Sequence, residues 1–240
     1  MVTIVLLMSL MFLFLMFVLL AGCYLLVLMA NRANDRFIDS LVRRCEETDN
    51  VWTRNNILII GLGGSGKTTM ANRLSDRLST SNSMCRLYHI PVIHMDQLSY
   101  KPGWISRSEA EFATEMAKAF SPSRQTIVEG LGYRNQTYLA SNIRAGVYGT
   151  VVLIHERTYI RRLRILMRSL RRKLGWEELG AGGPESLSNI WHMLLDDIRN
   201  TPQNTKTQLQ FFQSMSTIHN GCVYLQHNEH LLVTSQTSLQ

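Results

Sequence analysis

A buried strand, a glycine-rich turn and a helix in direct succession constrain the fold of this chain most strongly. The turn reads Gly61-Leu62-Gly63-Gly64-Ser65-Gly66-Lys67-Thr68 and matches the pattern GxxxxGK followed by Ser or Thr at every fixed position. The apolar run 57–60 precedes it, and residues 70–78 have helical spacing. Because glycine carries no side chain, backbone N–H groups in such a turn can converge on an anion. The motif therefore predicts a phosphate-binding loop.

The residue types of the loop match the parts of a nucleoside triphosphate and its metal. Lys67 can reach the β- and γ-phosphates, Thr68 can offer its hydroxyl to Mg²⁺, and the helix N-terminus points its positive dipole end at the anion. The sequence thus predicts ATP and Mg²⁺ as cofactors. A glycine-rich turn that binds nothing is the alternative, and the flanking strand and helix disfavour it. The predicted nucleotide-binding residues are Gly61, Leu62, Gly63, Gly64, Ser65, Gly66, Lys67, Thr68 and Thr69.

The N-terminal segment 1–30 contains no charged residue and consists mainly of Leu, Met, Val and Phe. At about 1.5 Å per residue, a helix of this length exceeds a hydrocarbon core roughly 30 Å thick. The first positive charges, Arg32 and Arg36, follow the segment, whereas none precedes it. By the positive-inside rule, we expect a single-pass membrane protein with its catalytic domain in the cytosol.

Three other interpretations of the apolar segment remain open. A cleaved signal peptide would begin with basic residues and have a hydrophobic stretch of only about 7–15 residues, which fits poorly. The run Leu20-Ala21-Gly22-Cys23 resembles a bacterial lipoprotein cleavage box, but the chain stays apolar after it. The segment could also be translated without having a role in the cell.

The rest of the chain divides into three predicted parts: a juxtamembrane linker at 31–55, one α/β domain at 56–233, and a frayed Ser/Thr/Gln-rich tail at 234–240. The domain is long enough for one well-formed core. The four cysteines are scattered, so neither a disulfide framework nor a zinc site is predicted. They are Cys23, Cys45, Cys85 and Cys222.

Short apolar runs alternate with helical stretches after the phosphate loop. The runs lie at 90–94, 126–128, 150–154 and 223–226. This alternation predicts a parallel sheet with helices on both faces, and ligands at the carboxyl ends of its strands. Three sets of polar residues follow these strands and are expected to converge on the γ-phosphate: Asp96, Glu129, and His155-Glu156-Arg157.

Positive charge is concentrated in one segment. The net charge is +7, and the segment 157–173 contains eight positive and no acidic residues, so the remainder carries −1. A near-neutral body with one arginine-rich helix indicates a local anionic partner, and nucleic acid is not indicated. On a helix, one side would carry Arg157, Arg161, Arg164, Arg168 and Arg172.

The order of these motifs resembles that of the bacterial DNA topology modulation proteins, which belong to the adenylate-kinase-like P-loop kinases. The resemblance is carried by Ile90-Pro91-Val92-Ile93-His94-Met95-Asp96, by Lys101-Pro102-Gly103-Trp104, by Ile127-Val128-Glu129-Gly130, by the arginine helix and by a later segment with Trp191. It implies a three-layer α/β P-loop domain with a flexible substrate-side region and a lid. The chain departs from the family in Glu129-Gly130, where Asp-Gly is usual, in lacking a proline after the fourth strand, and in its apolar N-terminal segment.

The resemblance also implies phosphoryl transfer from ATP to a small hydroxyl or phosphate acceptor. Thr68 would hold Mg²⁺ with support from Glu129. Asp96 would orient or deprotonate the acceptor hydroxyl or share the metal shell, unless it only caps a turn. The predicted catalytic residues are Lys67, Asp96, Arg164 and Arg168, while Arg157 and Arg161 are further lid candidates. His94 and His155 are expected to be structural.

Three classes of function therefore remain. The leading prediction is a kinase of a nucleoside, nucleotide or other small molecule. A membrane-tethered hydrolase of ATP or GTP is the second, although the chain has no NKxD guanine motif. A nucleotide-binding module without turnover is the third. A thymidine-kinase type of deoxynucleoside kinase is disfavoured, because Glu129-Gly130-Leu131 stands where Glu-Arg-Ser is expected.

Overall fold

A computed structural model gives the architecture of the chain. It describes residues 2–47, 56–81, 89–102, 105–120, 125–131, 135–173, 187–216, 222–227 and 230–234. In chain order the elements are α1 (Val2–Glu47), β1 (Asn56–Gly61), α2 (Lys67–Ser81), β2 (Val92–His94), α3 (Met95–Ser99), β3 (Tyr100–Lys101), β4 (Ile105–Ser106), α4 (Glu109–Ala119), β5 (Ile127–Gly130), α5 (Gln136–Arg144), β6 (Tyr148–His155), α6 (Thr158–Lys173), α7 (Leu187–Ser216), β7 (Cys222–His227) and β8 (His230–Thr234).

The main sheet has six strands in the order β2-β5-β1-β6-β7-β8. The first five strands in this order are parallel, which confirms the predicted mixed α/β architecture with a parallel sheet. Strand β8 differs, because it pairs antiparallel with β7. Only two residues separate these strands, and a connection so short can form a hairpin but not the crossover that a parallel pair requires.

Helices pack on both faces of this sheet. Strand β1 is buried along 57–61, as expected for a central parallel strand whose two faces are both covered. One face packs against α1 and α2 through Ile38, Val42, Ile57, Ile59, Met70, Ala71, Leu74, Leu78, Ile90, Ile127, Val152 and Ile154. The other packs against α3, α4, α5 and α7 through Leu58, Ile60, Ile93, Met95, Phe112, Met116, Val128, Leu139, Ile143, Tyr148, Val151, Leu153, Phe211, Phe212 and Met215.

Helix α1 runs for 46 residues and has two different halves. Its segment Leu7–Met29 is long and apolar enough to cross a membrane, and only 6% of its most apolar window is buried. This test rests on length and composition alone, and a signal sequence or the core helix of a soluble protein also passes it. In the second half, Ile38 and Val42 join the core beside α2. The segment expected to be a linker, 31–55, is therefore helical as far as Glu47, and 48–55 lies outside the described residues.

Two ion pairs reinforce the contact between α1 and α2. Asp35 pairs with Arg73, and one turn further along each helix Asp39 pairs with Arg77 at 3.5 Å. Both pairs are partly exposed, so each contributes little by itself. The buried side chains between the two helices supply the larger share of the stabilisation.

The strand order determines where a ligand can bind. Strand β1 lies between β5 and β6. After β1 the chain continues to β2 on the β5 side of the sheet, whereas after β6 it continues to β7 on the opposite side, so the direction of winding reverses between β1 and β6. In open α/β sheets, the crevice at such a reversal, outside the carboxyl ends of the strands, is the usual ligand site. The loop after β1 and the residues after β6 lie at this point.

Candidate phosphate-binding site

The loop 61–68 connects the end of β1 to the first turn of α2. Gly64 and Gly66 have φ angles of +72° and +94°, a conformation that glycine adopts without steric cost. The amide N–H of Ser65 donates to the carbonyl oxygen of Leu62 at 3.2 Å and closes a tight turn. The Lys67 ammonium donates to the same carbonyl at 3.2 Å, and its side chain is buried. The lysine therefore lies folded along the loop.

Two of the loop glycines are also required by packing. A Cβ atom at Gly61 would lie 2.6 Å from the hydroxyl oxygen of Ser65 and 2.8 Å from the carbonyl oxygen of Ile154. A Cβ atom at Gly64 would overlap the carbonyl oxygen of Arg161 in α6. By contrast, Gly63 has open space around it. Helix α6 thus lies directly against the loop.

Two arginines of α6 donate to carbonyl groups of the loop. Arg161 Nε donates to the carbonyl of Gly63 at 2.9 Å. Arg164 Nη1 donates to the carbonyls of Gly64 and Ser65 at 3.3 and 3.1 Å. None of the described peptide bonds is cis, so each N–H points opposite to the preceding C=O. The N–H groups of Gly64 and Gly66 consequently point away from the arginines, which is the orientation that an anion cradle needs.

Acidic residues hold both guanidinium groups in place. Arg161 Nη2 is 2.5 Å from Asp197 Oδ1, and Arg162 Nε is 3.2 Å from the other carboxylate oxygen. Arg164 pairs with Glu156, which follows β6, at 3.1 Å. Burial lowers the pKa of Arg164, and the adjacent Glu156 charge offsets part of that effect. The basic helix is therefore tied to the loop, to the end of β6 and to α7.

A second polar group lies at the ends of β2 and β5. Glu129 is 3% exposed and accepts hydrogen bonds on Oε1 from the Thr68 hydroxyl at 3.1 Å and from His94 Nδ1 at 2.7 Å. Its other oxygen, Oε2, is buried and has no hydrogen-bond partner among the described residues. Burial would raise the pKa of Glu129, but the hydrogen bond from His94 and the charge of Lys67 outweigh it, so the pKa is lowered overall. Glu129 is thus ionised at neutral pH.

These atoms fit a Mg²⁺ ion that is bound mainly through phosphate and water. Mg²⁺ takes oxygen ligands and usually keeps several waters, relying on one or two protein oxygens. Here the Thr68 hydroxyl and the unpartnered Glu129 Oε2 are two oxygens at the edge of the loop. Within the described part of the chain, no three His, Cys, Asp or Glu side chains cluster to bind a metal by themselves. A Mg²⁺ ion held by these two oxygens would take its other ligands from phosphate and water.

For the other predicted site residues, the structure gives the position and the burial. Asp96 lies half-buried in the first turn of α3, at the same edge of the sheet as Glu129. Thr69 and Arg168 are exposed on α2 and α6. Arg157 is also exposed and donates to the Tyr159 hydroxyl at 3.2 Å. The proposed roles of these residues stay predictions. Gly103 and Trp104 lie outside the described residues.

Sequence reasoning missed the acidic partners of the arginines and the contact of His94. Asp197 lies on α7, 36 residues after Arg161, and the sequence does not indicate that the two meet. Glu156 was visible as a polar residue after a strand, but its pairing with Arg164 was not. His94 had no signal beyond its position two residues before Asp96.

Comparisons with known proteins give a distant structural likeness. No protein-family model matches the chain, and no curated protein matches it. Among solved structures, the chain is similar to a protein of Silicibacter sp. TM1040 described as a "putative fructose transport system kinase". The two are 17% identical with a TM-score of 0.38, and the match covers 57% of this chain and 84% of the other. At that TM-score the likeness carries no argument about function.

Proposed function

We propose that this chain is an ATP- and Mg²⁺-dependent phosphotransferase, a kinase of a nucleoside, nucleotide or other small molecule, in an adenylate-kinase-like P-loop domain. One observation carries the proposal. The GxxxxGK-Thr loop lies at the reversal point of a parallel sheet, its arginine-bound carbonyls turn N–H groups outward, and its Thr68 contacts a buried carboxylate. The order of motifs in this chain, which resembles that of the DNA topology modulation family, also supports a kinase.

The chain's own residues would divide the work between binding and charge stabilisation. The backbone of 61–69 would bind the phosphates, and Lys67 would release its hydrogen bond to Leu62 to contact the β- and γ-phosphate oxygens. Thr68 and Glu129 would hold the magnesium ion, which neutralises charge on the phosphates when it is bound. Phosphoryl transfer requires mainly such positioning and neutralisation.

The acceptor side of the site is proposed to lie at β2 and α3. Asp96 follows β2, and this strand neighbours β5, which ends at Glu129-Gly130. A Cβ atom at Gly130 would lie 2.7 Å from the Cβ atom of Met95, so Gly130 allows α3 to approach β5 closely. Asp96 would there orient or deprotonate an acceptor hydroxyl.

The arginines of α6 are proposed to act in two sets. Arg161 and Arg164 contact the loop itself, whereas Arg168 is exposed one turn beyond Arg164. Arg164 would have to leave its loop carbonyls and Glu156 to contact a phosphate, and Arg168 would reach one only after α6 moved from its present contacts. Arginine suits this role, because its planar fork matches phosphate oxygens.

Helix α1 is proposed to anchor the domain to a membrane through Leu7–Met29, with residues 56–233 in the cytosol where ATP is available. The apolar and nearly unburied surface of that segment, followed by Arg32 and Arg36, supports this topology. Fractionation of tagged full-length chain tests it. Release from membranes by alkaline carbonate would contradict a spanning helix.

The activity is tested by measuring ADP release from the full chain in detergent, with a panel of nucleosides, nucleoside monophosphates and sugars. Stimulation by one acceptor class supports a kinase. Release that no acceptor changes indicates a hydrolase, and binding without release indicates a module that does not turn over. The Lys67→Ala variant is the control, and activity that survives it would contradict the proposed site.

A further inference from the structure

His94 and Glu129 are neighbours in the sheet, although 35 residues separate them in the chain. They face each other at the carboxyl ends of β2 and β5, in the register Val92 with Ile127, Ile93 with Val128 and His94 with Glu129. The ring nitrogen Nδ1 and the carboxylate oxygen Oε1 are 2.7 Å apart. The contact is therefore built into the pairing of two core strands.

The direction of this hydrogen bond follows from the acceptor chemistry of the Glu129 carboxylate, whose Oε1 also accepts from the Thr68 hydroxyl. An ionised carboxylate can only accept hydrogen bonds, so His94 must donate through Nδ1–H. Glu129 is almost fully buried. Since the carboxylate has so little access to water, its protein donors decide whether its charge is tolerated and how it is oriented.

The two oxygens of Glu129 are used unequally. Oε1 accepts from both Thr68 and His94, while Oε2 has no partner among the described residues. A hydroxyl has one hydrogen and two lone pairs, so Thr68 can give a lone pair to a metal while its hydrogen stays on Glu129 Oε1. His94 is the second donor on Oε1, and its contact is the shorter of the two.

We propose that His94 is a positioning residue: its Nδ1–H, together with the Thr68 hydroxyl, holds Glu129 by Oε1 in one orientation, so that Oε2 is available to the magnesium shell. This inference rests on the proposed function and assigns a role to a side chain that sequence reasoning considered structural. His94 also ends β2 directly before α3, which carries Asp96. Its contact with Glu129 therefore fixes the metal side and the acceptor side of the site relative to each other.

The test compares two variants of His94 with a surface control. His94→Ala removes the donor. His94→Asn retains it, because the Asn side-chain amide nitrogen occupies nearly the position of Nδ1. His89→Ala changes an exposed histidine that lies three residues before β2. Each full-length variant in detergent is titrated calorimetrically with ATP in EDTA and with ATP in Mg²⁺.

We expect His94→Ala to weaken Mg²⁺-dependent ATP binding about tenfold, the lower end of the effect of removing an outer-shell partner. Binding in EDTA should be unchanged, His94→Asn should recover most of the loss, and His89→Ala should match the parent. In the kinase assay, His94→Ala should lower kcat more than it raises KM for the acceptor.

An NMR readout tests the hydrogen bond without nucleotide. The Nδ1–H proton of His94 should resonate far downfield in the parent and shift strongly in Glu129→Gln. A parent that binds no Mg·ATP would overturn the proposed function. A parent that binds it, with His94→Ala equal to the parent or equally weak in EDTA and in Mg²⁺, would overturn the positioning role alone.

Discussion

The pairing of Arg161 with Asp197 leads to a quantitative prediction about the stability of the phosphate loop. Arg161 is 3% exposed, and its guanidinium bridges the loop carbonyl of Gly63 to Asp197, which is 13% exposed. Asp197→Asn keeps the shape of the side chain but removes the charge. Arg161 would then remain buried and lose the charge of Asp197, and Arg162 would lose the same partner.

The expected cost follows from the burial of the pair. Removing one partner of a buried ion pair costs about 3–5 kcal/mol, because an uncompensated charge stays behind. Arg162 is about one-third exposed, so its own loss is small, and we expect about 3 kcal/mol in total. For a domain of roughly 150–250 residues, this corresponds to a fall in Tm of about 6–12 °C.

Thermal unfolding of the full chain in detergent, followed by circular dichroism, measures the effect. Asp196→Asn is the matched control, because Asp196 is the exposed neighbour and contacts only Asn200 in the described helix, at 2.6 Å. Its Tm should change by no more than about 2 °C, since exposed substitutions cost within about 0.5 kcal/mol. Arg161→Met combined with Asp197→Asn should recover part of the loss, because the unpaired charge is gone.

The result that would refute this reasoning is an Asp197→Asn variant as stable as Asp196→Asn. The guanidinium would then be satisfied by the loop carbonyl and solvent, and α7 would not stabilise the loop. The double variant should lose less free energy of unfolding than Arg161→Met and Asp197→Asn lose when their separate losses are added. A larger loss in the double variant would contradict the argument as well.

Three further predictions follow from other parts of the structure. Asp96→Asn should lower kcat far more than it weakens ATP binding if Asp96 handles the acceptor, whereas equal losses by kinetics and calorimetry would indicate a metal role. Deleting 1–30 should leave ATP binding intact. Ile38→Ala in the full chain should lower the free energy of unfolding by about 2–4 kcal/mol, because Ile38 is buried in the core. A chemical denaturation midpoint equal to that of the parent would contradict this expectation. Glu111 accepts a hydrogen bond from Lys101 and caps α4, so NMR should show a pKa of about 2 for its carboxyl group. The stabilisation that it contributes is complete above its ordinary pKa and should be lost as the pH falls toward 2. A titration near pH 4 would contradict the contact.

Much of the fold could be predicted from local patterns. The apolar runs indicated each parallel strand to within a few residues, because buried strands of a parallel sheet are continuously apolar. The run at 90–94 begins as a strand only at Val92, after Pro91, which lacks an N–H for the ladder. The antiparallel strand β8 was not predicted, although the apolar run Leu231-Leu232-Val233 could have indicated a strand; its antiparallel pairing is not visible in an apolar pattern.

The linker prediction shows how a change in composition differs from a change in structure. Charged residues begin at Arg32, and the sequence predicts a polar juxtamembrane linker at 31–55. The spacing of Ile38 and Val42, together with Asp35 and Asp39, is also that of an amphipathic helix with its apolar side toward a partner. The structure has that helix, packed on α2.

The candidate site could be predicted only as far as its motif extends. The residues of the GxxxxGK-Thr loop could be named from the sequence, because the loop is formed by consecutive residues of the chain. The contacts of Glu129 with His94 and of Arg161 with Asp197 join residues 35 and 36 positions apart. They depend on which strands are adjacent and how α7 packs on α6, which the sequence patterns do not specify.

Calorimetric titration of the folded full-length chain with Mg·ATP tests the central claim most directly. The account predicts saturable binding at one site per chain, lost in Lys67→Ala and retained in His89→Ala. A protein that is folded by circular dichroism but releases no heat with either Mg·ATP or Mg·GTP would contradict it.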